Sequence, residues 1–138
     1  MAHENTLRLV GLALRAGRLE AGEDCARDAC RAKACRLLLV AQDASAGTAR
    51  RAMSAAEEGS CLCLTVPYTR GEMGRAVGRE LCAVAAVTDT GFAEAFAKKL
   101  AAQDPERYGE AAQRLRLKAE RARQRRNKRP PKRRAKRT

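Results

Sequence analysis

The sequence has no tryptophan, few other aromatic residues and a single histidine, His3, near its beginning. Without tryptophan it lacks one platform on which nucleic-acid bases stack. A nucleophile paired with histidine would have to use a residue at the very start of the chain, so we predict no enzyme activity, no catalytic residues and no cofactor. No apolar run approaches the ~20 residues of a membrane span, so we expect no segment that crosses a membrane.

The first residues, 1–5, lack the charged start and apolar stretch of a signal peptide. We therefore expect a cytoplasmic protein. Thiols stay reduced in that compartment, so the six cysteines are not expected to form disulfides.

The cysteine spacing argues against a metal site. Cys25, Cys30 and Cys35 recur every five residues. On one helix, neighbours at that spacing lie about 140° apart and do not converge on an ion. Cys61 and Cys63 lack the second close pair that zinc sites use. We predict that the cysteines are small buried hydrophobes and that no metal is bound.

Positive charge is concentrated at the end of the sequence. Residues 1–97 contain 12 Lys/Arg and 12 Asp/Glu, whereas residues 98–138 contain 17 Lys/Arg and 4 Asp/Glu. The whole net charge of +13 therefore comes from the last part of the chain. A neutral region with a basic arm predicts a polyanionic partner, nucleic acid first and an anionic membrane surface second. Arginine outnumbers lysine in the arm, which favours RNA over a membrane surface, and we therefore expect no membrane partner.

Helical and extended patterns alternate through the neutral region. Apolar spacing and capping signals predict helices at 4–16, 22–33, 46–58, 70–77 and 90–101. Apolar runs predict strands at 37–41, 62–66 and 82–87, with a short extended piece at 18–20. Because the runs are continuous, both faces of the sheet should be covered. The predicted fold class is α/β, a three-layer α-β-α sandwich with a mixed four-stranded sheet.

Local signals fix several ends of these helices. Gly17 is predicted to cap the first helix in a left-handed conformation. Ser45 is predicted to cap the third helix, and Thr69 with Glu72 forms a capping box for the fourth.

We predict two parts: a sandwich domain at 1–101 and a basic extension at 102–138. The extension should form a helix at about 104–126, begun by Asp104 and Pro105. Its apolar stripe is mostly alanine and would bury little. The chain from Arg125 onward is almost wholly Arg, Lys and Pro, so we expect a disordered tail until it binds a partner.

Several short blocks resemble a known family. These are the segment from Leu12 to Thr48, the tripeptide Val66-Pro67-Tyr68 and residues 78–83. The first segment begins with Leu-Ala-Leu-Arg-Ala-Gly and contains Leu-Leu-Leu-Val-Ala at 37–41. In this order they resemble the bacterial YlxQ-type branch of the superfamily of ribosomal proteins L-seven-Ae and L-thirty-e. The similarity covers about residues 5–97, and the basic tail lies outside it.

The resemblance implies a three-layer α-β-α fold and the binding of kink-turns, which are sharply bent RNA helices. In the family, the start of the second helix and the loop before the last strand contact the RNA. Carried onto this chain, the helix set is Gly22, Glu23, Asp24, Cys25 and Asp28, and the loop set is Arg79, Glu80, Leu81, Cys82 and Ala83. Nearby cations are Arg31, Lys33 and Arg36. Charge alone adds the cations of the arm: Arg114, Arg121, Arg125, Arg126, Lys128, Arg129, Lys132, Arg133 and Arg134.

Three residues depart from the family pattern. Asp24 stands where the family has Asn or Lys, and Asp28 stands where it has Lys. Cys25 replaces an acidic residue or Gln. Two functions therefore remain open. The first is a non-catalytic RNA-binding protein that binds structured, kink-turn-like RNA or ribosomal RNA, acts as a monomer and associates with the ribosome. The second is a protein-interaction module of the ribosome or translation machinery that has lost RNA recognition. A third alternative, an enzyme that acts on RNA, would need a nucleotide or a methyl donor, and nothing in the sequence points to such a ligand.

Overall fold

The computed structural model describes residues 2–128, with side chains from Glu4 onward. Six helices and four strands lie along this part of the chain. In order they are α1 (Ala2–Arg15), β1 (Leu19–Ala21), α2 (Glu23–Arg31), β2 (Leu37–Val40), α3 (Ala46–Gly59), β3 (Leu62–Thr65), α4 (Arg70–Val77), β4 (Val84–Val87), α5 (Thr90–Gln103) and α6 (Pro105–Lys128).

The four strands form one mixed sheet in the order β1-β4-β2-β3. β2 pairs with β3 in parallel, and β4 runs antiparallel to both β1 and β2. The central strands β2 and β4 are buried along their whole length, whereas the edge strand β3 is half exposed. A buried centre explains why the β2 and β4 sequences are continuously apolar. The predicted mixed four-stranded sheet is confirmed.

Helices cover both faces of the sheet. Leu38 and Val40 of β2 pack with buried residues of α2 and α3, including Ala26 and Ala56. The alternate residues of β2 face the other way and pack with α1, α4, α5 and α6. This alternation is the two-residue period of a strand. The predicted three-layer α-β-α sandwich is confirmed.

The predicted caps are present. Gly17 has a φ of 73° after α1. Ser45 accepts a hydrogen bond from the Thr48 amide at 3.1 Å at the start of α3. At α4, Thr69 Oγ1 accepts from the Glu72 amide at 3.1 Å, and Glu72 Oε1 accepts from the Thr69 amide at 2.9 Å. Each cap satisfies an amide that the helix itself leaves unpaired.

The C-terminal helix packs against the sandwich, a point that the sequence left open. Tyr108 is buried and its hydroxyl donates to the Thr65 carbonyl of β3 at 2.6 Å. Leu115 joins the same core as α5, and Arg123 pairs with Glu94 of α5 at 3.6 Å. The prediction that the apolar stripe of this helix buries little is wrong, because it left out Tyr108.

The predicted boundaries need two further corrections. α2 ends at Arg31, two residues earlier than predicted, and Lys33 then adopts a φ of 60°. α6 continues to Lys128, so the prediction of disorder from Arg125 onward is wrong for residues 125–128. The tail cations Arg129, Lys132, Arg133 and Arg134 lie outside the described residues. The division at residue 101 stays a prediction.

Candidate nucleic-acid interface

The start of α2 lies at one end of the sheet and is built around Gly22. This residue has φ 102° and ψ 153°, a combination that is open almost only to glycine. Its amide donates to the Val84 carbonyl of β4 at 2.9 Å, and its carbonyl accepts from the Ala26 amide of α2. The strand β1 therefore passes directly into α2 through this single glycine. The first amides of a helix have no partner within the helix and attract anions.

The loop before β4 packs against this helix start. A Cβ on Gly22 would lie 2.8 Å from Nη1 of Arg79, so the guanidinium occupies the space that glycine leaves open. The loop is held on α4 by an equally close approach, since a Cβ on Gly74 would lie 2.7 Å from the Glu80 carbonyl oxygen. The structure thus brings the helix set and the loop set together. We call this surface, formed by Gly22, Glu23, Asp24, Cys25, Asp28, Arg79, Glu80 and Leu81, the recognition end.

Accessibility differs sharply within the loop. The side chain of Leu81 is 55% exposed. Cys82 is only 3% exposed and its Sγ approaches the Val84 carbonyl at 3.4 Å. Leu81 can therefore touch a partner, whereas Cys82 supports the loop from inside. Asp24, Cys25 and Asp28 of α2 are exposed.

Two acids at this helix start are paired with arginines that the sequence analysis did not single out. Asp24 accepts from Arg27 at 2.6 Å. Glu23 accepts from Arg51 of α3 through both carboxylate oxygens. The hydrogen bond from Arg51 lowers the pKa of Glu23 below its ordinary value. The spacing of Asp24 and Arg27 is a helical signal that could have been recognised. Arg51 lies 28 residues from Glu23, and no local signal joins them.

The start of α4 adds another cation at the same end of the sheet. The Arg70 amide donates to Asp43 Oδ1 at 2.7 Å, and its side chain lies 3.5 Å from the same carboxylate. The Arg70 carbonyl accepts from the Cys82 amide at 2.9 Å, which ties α4 to the loop before β4. The recognition end is therefore bordered by several arginines although the first 97 residues carry no net charge.

Three predicted cations lie elsewhere. Arg31 is in the last turn of α2, and Lys33 Nζ donates to the Glu58 carbonyl at 2.6 Å. The Arg36 amide donates to the Val87 carbonyl at the end of β4. Gly22 bonds to Val84 at the beginning of β4, so about 10 Å of strand separates it from the Val87 carbonyl. These three residues do not belong to the recognition end.

The far end is instead shared with α6. Arg36, Lys118 and Arg125 line one pocket of about 260 Å³. Arg114, Lys118 and Arg121 line a second pocket of about 380 Å³ beside Leu62, at the start of β3. Tyr108 lies at the other end of β3, so α6 runs along this edge strand. We call Arg114, Lys118, Arg121 and Arg125 the basic face of α6. Arg126 and Lys128 are also exposed.

Three cysteines meet at this far end. The Sγ atoms of Cys30, Cys35 and Cys61 all lie within 4.8 Å of one another. The prediction that Cys30 and Cys35 cannot converge is wrong, because it treated the two residues as lying on one helix. Since α2 ends at Arg31, the chain turns back and carries Cys35 towards Cys30. Cys25 stays on the exposed side of α2.

Within residues 2–128, no helix is both long enough and apolar enough to cross a membrane.

Comparison with known proteins gives a consistent result. No protein-family model matches the chain. The RNA-binding protein YlxQ of Bacillus subtilis (strain 168) is 38% identical over 89 residues, which span 62% of this chain and 84% of that protein. A solved structure of a protein of unknown function from Bacillus halodurans superposes with a TM-score of 0.63 at 28% identity, covering 69% of this chain and 95% of that one.

A more distant likeness extends the fold comparison. The 15.5kD RNA binding protein of Giardia lamblia superposes with a TM-score of 0.55 at 18% identity, over 83% of this chain and 89% of that one. At this identity the likeness concerns the fold alone. The two solved structures therefore share the α-β-α architecture of this chain. The chain belongs to the family of YlxQ-type proteins.

Proposed function

We propose that this chain is a non-catalytic RNA-binding protein that docks its recognition end on structured RNA of the kink-turn type. The single observation that carries the proposal is the packing of the Arg79 guanidinium against Gly22 at the start of α2. It places a planar cation beside helix amides, which is an arrangement suited to phosphate and to base edges. The relative from Bacillus subtilis is itself named an RNA-binding protein.

The recognition end suits a bent or looped RNA better than a regular duplex. The major groove of an RNA helix is too narrow for side chains, so proteins recognise its shape, its backbone and its unstacked bases. Leu81 offers an exposed apolar surface beside Arg79, against which a splayed base can pack. The glycine at position 22 leaves the helix start without a side chain that would keep the RNA away.

The acidic residues of α2 lower the affinity of the recognition end for RNA without abolishing it. Asp24 is paired with Arg27, and Glu23 with Arg51, so the charges of both are partly balanced within the protein. Such exposed pairs contribute little stability but reduce the repulsion that a phosphate meets. Asp28 is exposed, and it lies one turn along α2 from Asp24. We infer modest affinity at the recognition end itself.

The basic face of α6 supplies the additional affinity. Residues 105–128 contain nine Lys/Arg and three Asp/Glu. Tyr108 and Leu115 hold the helix on the sandwich, so its cations are presented in a fixed position rather than on a free arm. The remaining six cations, in residues 129–138, extend the charge further. In this proposal α6 and the tail contact phosphates on either side of the docked element.

A salt titration tests whether the recognition end selects the RNA and whether α6 and the tail contact its phosphates. The full chain, a chain ending at Lys128, and a triple variant Arg114→Gln, Arg121→Gln, Arg125→Gln are compared on a kink-turn RNA and on a plain duplex of equal length. Releasing counterions gives a slope of about −0.9 in log affinity against log salt for each phosphate neutralised on a double helix, as measured for B-DNA. If all six tail cations bind, the slope of the chain ending at Lys128 should be shallower than that of the full chain by about 5.

Both shortened and neutralised variants should keep the preference for the kink-turn, because the recognition end is intact in each. Loss of the preference together with loss of the slope would contradict the proposal. Deletion from residue 102 is not a useful variant, since it would uncover the core that Tyr108 and Leu115 complete.

The exposed acids Asp24 and Asp28 favour one other function, a protein-interaction module in which the sandwich binds a basic protein partner of the translation machinery. The same titration separates the two. Equal binding of the full chain to both RNAs, with all affinity lost in the α6 and tail variants, would favour the interaction module. Association with the ribosome and a monomeric state belong to both proposals.

A further inference from the structure

The three converging cysteines come from separate parts of the chain. Cys30 is in the last turn of α2, Cys35 lies in the link to β2, and Cys61 lies in the link between α3 and β3. Cys30 and Cys35 are buried and Cys61 is half-buried. Three thiols within 4.8 Å of one another, on elements that pack together only in the folded chain, form a preassembled cluster.

The backbone around the cluster holds the thiols in place. Lys33 and Ser60 have positive φ angles of 60° and 57°, and within the described part of the chain they are the non-glycine residues with this conformation. Lys33 turns the chain between Cys30 and Cys35, and Ser60 directly precedes Cys61. Gly59 permits the approach of α3 to α2, since a Cβ there would lie 2.8 Å from the Cys30 carbonyl oxygen.

We propose that Cys30, Cys35 and Cys61 bind a thiophilic metal ion, with Zn²⁺ as the ion that tests the site. Soft thiolate ligands select ions of this class. Zinc–sulfur bonds of about 2.3 Å place the sulfur atoms around one ion about 3.8–4.0 Å apart. The cluster reaches that spacing with shifts of about 1 Å or less from separations of at most 4.8 Å.

The surroundings suit a charged centre. The pocket of about 260 Å³ beside Cys35 and Cys61 leaves room for water as a fourth ligand and a path by which the ion can enter. Three thiolates with Zn²⁺ carry one net negative charge. Arg36, Lys118 and Arg125 line the same pocket and offset that charge. A bound ion would join α2 to the link before β3, beneath the basic face of α6.

Zinc binding to the full, reduced, metal-free chain is the test, measured by competition with a chromophoric chelator in the absence of oxygen. We expect one ion per chain and a higher melting temperature with Zn²⁺. Cys35→Ser and Cys61→Ser should each weaken binding by more than about 100-fold, because even outer-shell partners of metal ligands are worth 10–100-fold. Cys25→Ser, an exposed cysteine of the same helix, is the matched control and should bind as the unmodified chain does.

A second measurement covers a Cys35→Ser variant that fails to fold. Co²⁺ bound by thiolates absorbs through sulfur-to-metal charge transfer, and this band should be present in the full chain and reduced in Cys61→Ser, whose side chain is half-buried. Absence of zinc binding by the reduced chain would overturn the proposal. Unchanged zinc binding in both Cys35→Ser and Cys61→Ser would also overturn it, as would an equal loss of zinc affinity in Cys25→Ser. A chain that forms a disulfide within the cluster and still binds no zinc after reduction would overturn it as well.

Discussion

Substitution of Gly22 by alanine perturbs the proposed RNA surface at its most constrained point. An alanine at φ 102° and ψ 153° stores roughly 1–3 kcal/mol of backbone strain. Restricting the unfolded chain returns roughly 0.4–1 kcal/mol. The net loss of stability should therefore be about 1–2 kcal/mol. The new Cβ would also lie 2.8 Å from Nη1 of Arg79, and the flexible guanidinium must move away.

The displacement of Arg79 should also change the affinity for RNA. A hydrogen bond involving a charged group contributes about 1.5–3 kcal/mol, so displacing Arg79 should weaken binding to a kink-turn RNA by roughly 10-fold or more. The matched control is Gly17→Ala. Gly17 also has a positive φ, of 73°, but a Cβ there meets nothing within 4 Å. The Gly17→Ala variant should lose about 1–2 kcal/mol of unfolding free energy through backbone strain. Its RNA affinity should be unchanged.

Urea unfolding and equilibrium RNA binding, measured on both variants, separate strain from displacement. The reasoning is refuted if Gly22→Ala unfolds at the same urea concentration as the unmodified chain. It is also refuted if Gly22→Ala and Gly17→Ala change the RNA affinity equally, because only the first substitution reaches Arg79.

Three further predictions concern the anchoring of α6 and the charges of α2. Tyr108→Phe removes the hydroxyl that donates to a β3 carbonyl and should cost about 0.5–1.5 kcal/mol in urea unfolding, whereas an unchanged midpoint would show that this bond does not anchor the helix. Glu23→Gln should destabilise the protein above the ordinary pKa of 4.5, and the difference should fade as the pH falls through the lowered pKa of Glu23, since Arg51 stabilises only the charged form. A difference that stays constant through the acidic range would contradict this. Asp28→Lys should raise kink-turn affinity more than duplex affinity, while Glu57→Lys on α3 should not change the preference; equal effects of the two would place Asp28 outside the interface.

Much of the fold follows from local sequence signals. Thr69 with Glu72, Ser45 and Gly17 each predict a helix end, and each does so because the cap uses residues within four positions along the chain. The buried runs of β2 and β4 likewise predict a sheet covered on both faces. These features depend on short-range hydrogen bonds and on periodicity, which a sequence displays directly.

The remaining features depend on how elements pack. Glu23 meets Arg51 only because α2 lies on α3. Cys61 reaches Cys30 through the same pair of helices, and Cys35 does so because α2 stops at Arg31. A spacing rule that assumes a continuous helix fails at a helix end, where the chain changes direction.

The anchoring of α6 was missed for a related reason. A mostly alanine stripe predicts weak packing, but one large side chain, Tyr108, outweighs it. A buried aromatic residue adds far more contact area than alanine, and its hydroxyl here finds a carbonyl at the sheet edge. The charge pattern of residues 98–138 predicts a polyanion partner without showing that the cations lie on a docked helix.

The measurement that tests the central claim most directly is the preference of the full chain for a kink-turn RNA over a duplex of equal length, compared with Arg79→Gln and Arg75→Gln at one salt concentration. Both arginines are exposed, but only Arg79 lies against Gly22. We predict that the full chain prefers the kink-turn, that Arg79→Gln lowers this preference by roughly 10-fold, and that Arg75→Gln affects both RNAs alike. Equal effects of the two substitutions, or no preference in the full chain, would contradict RNA recognition by this surface.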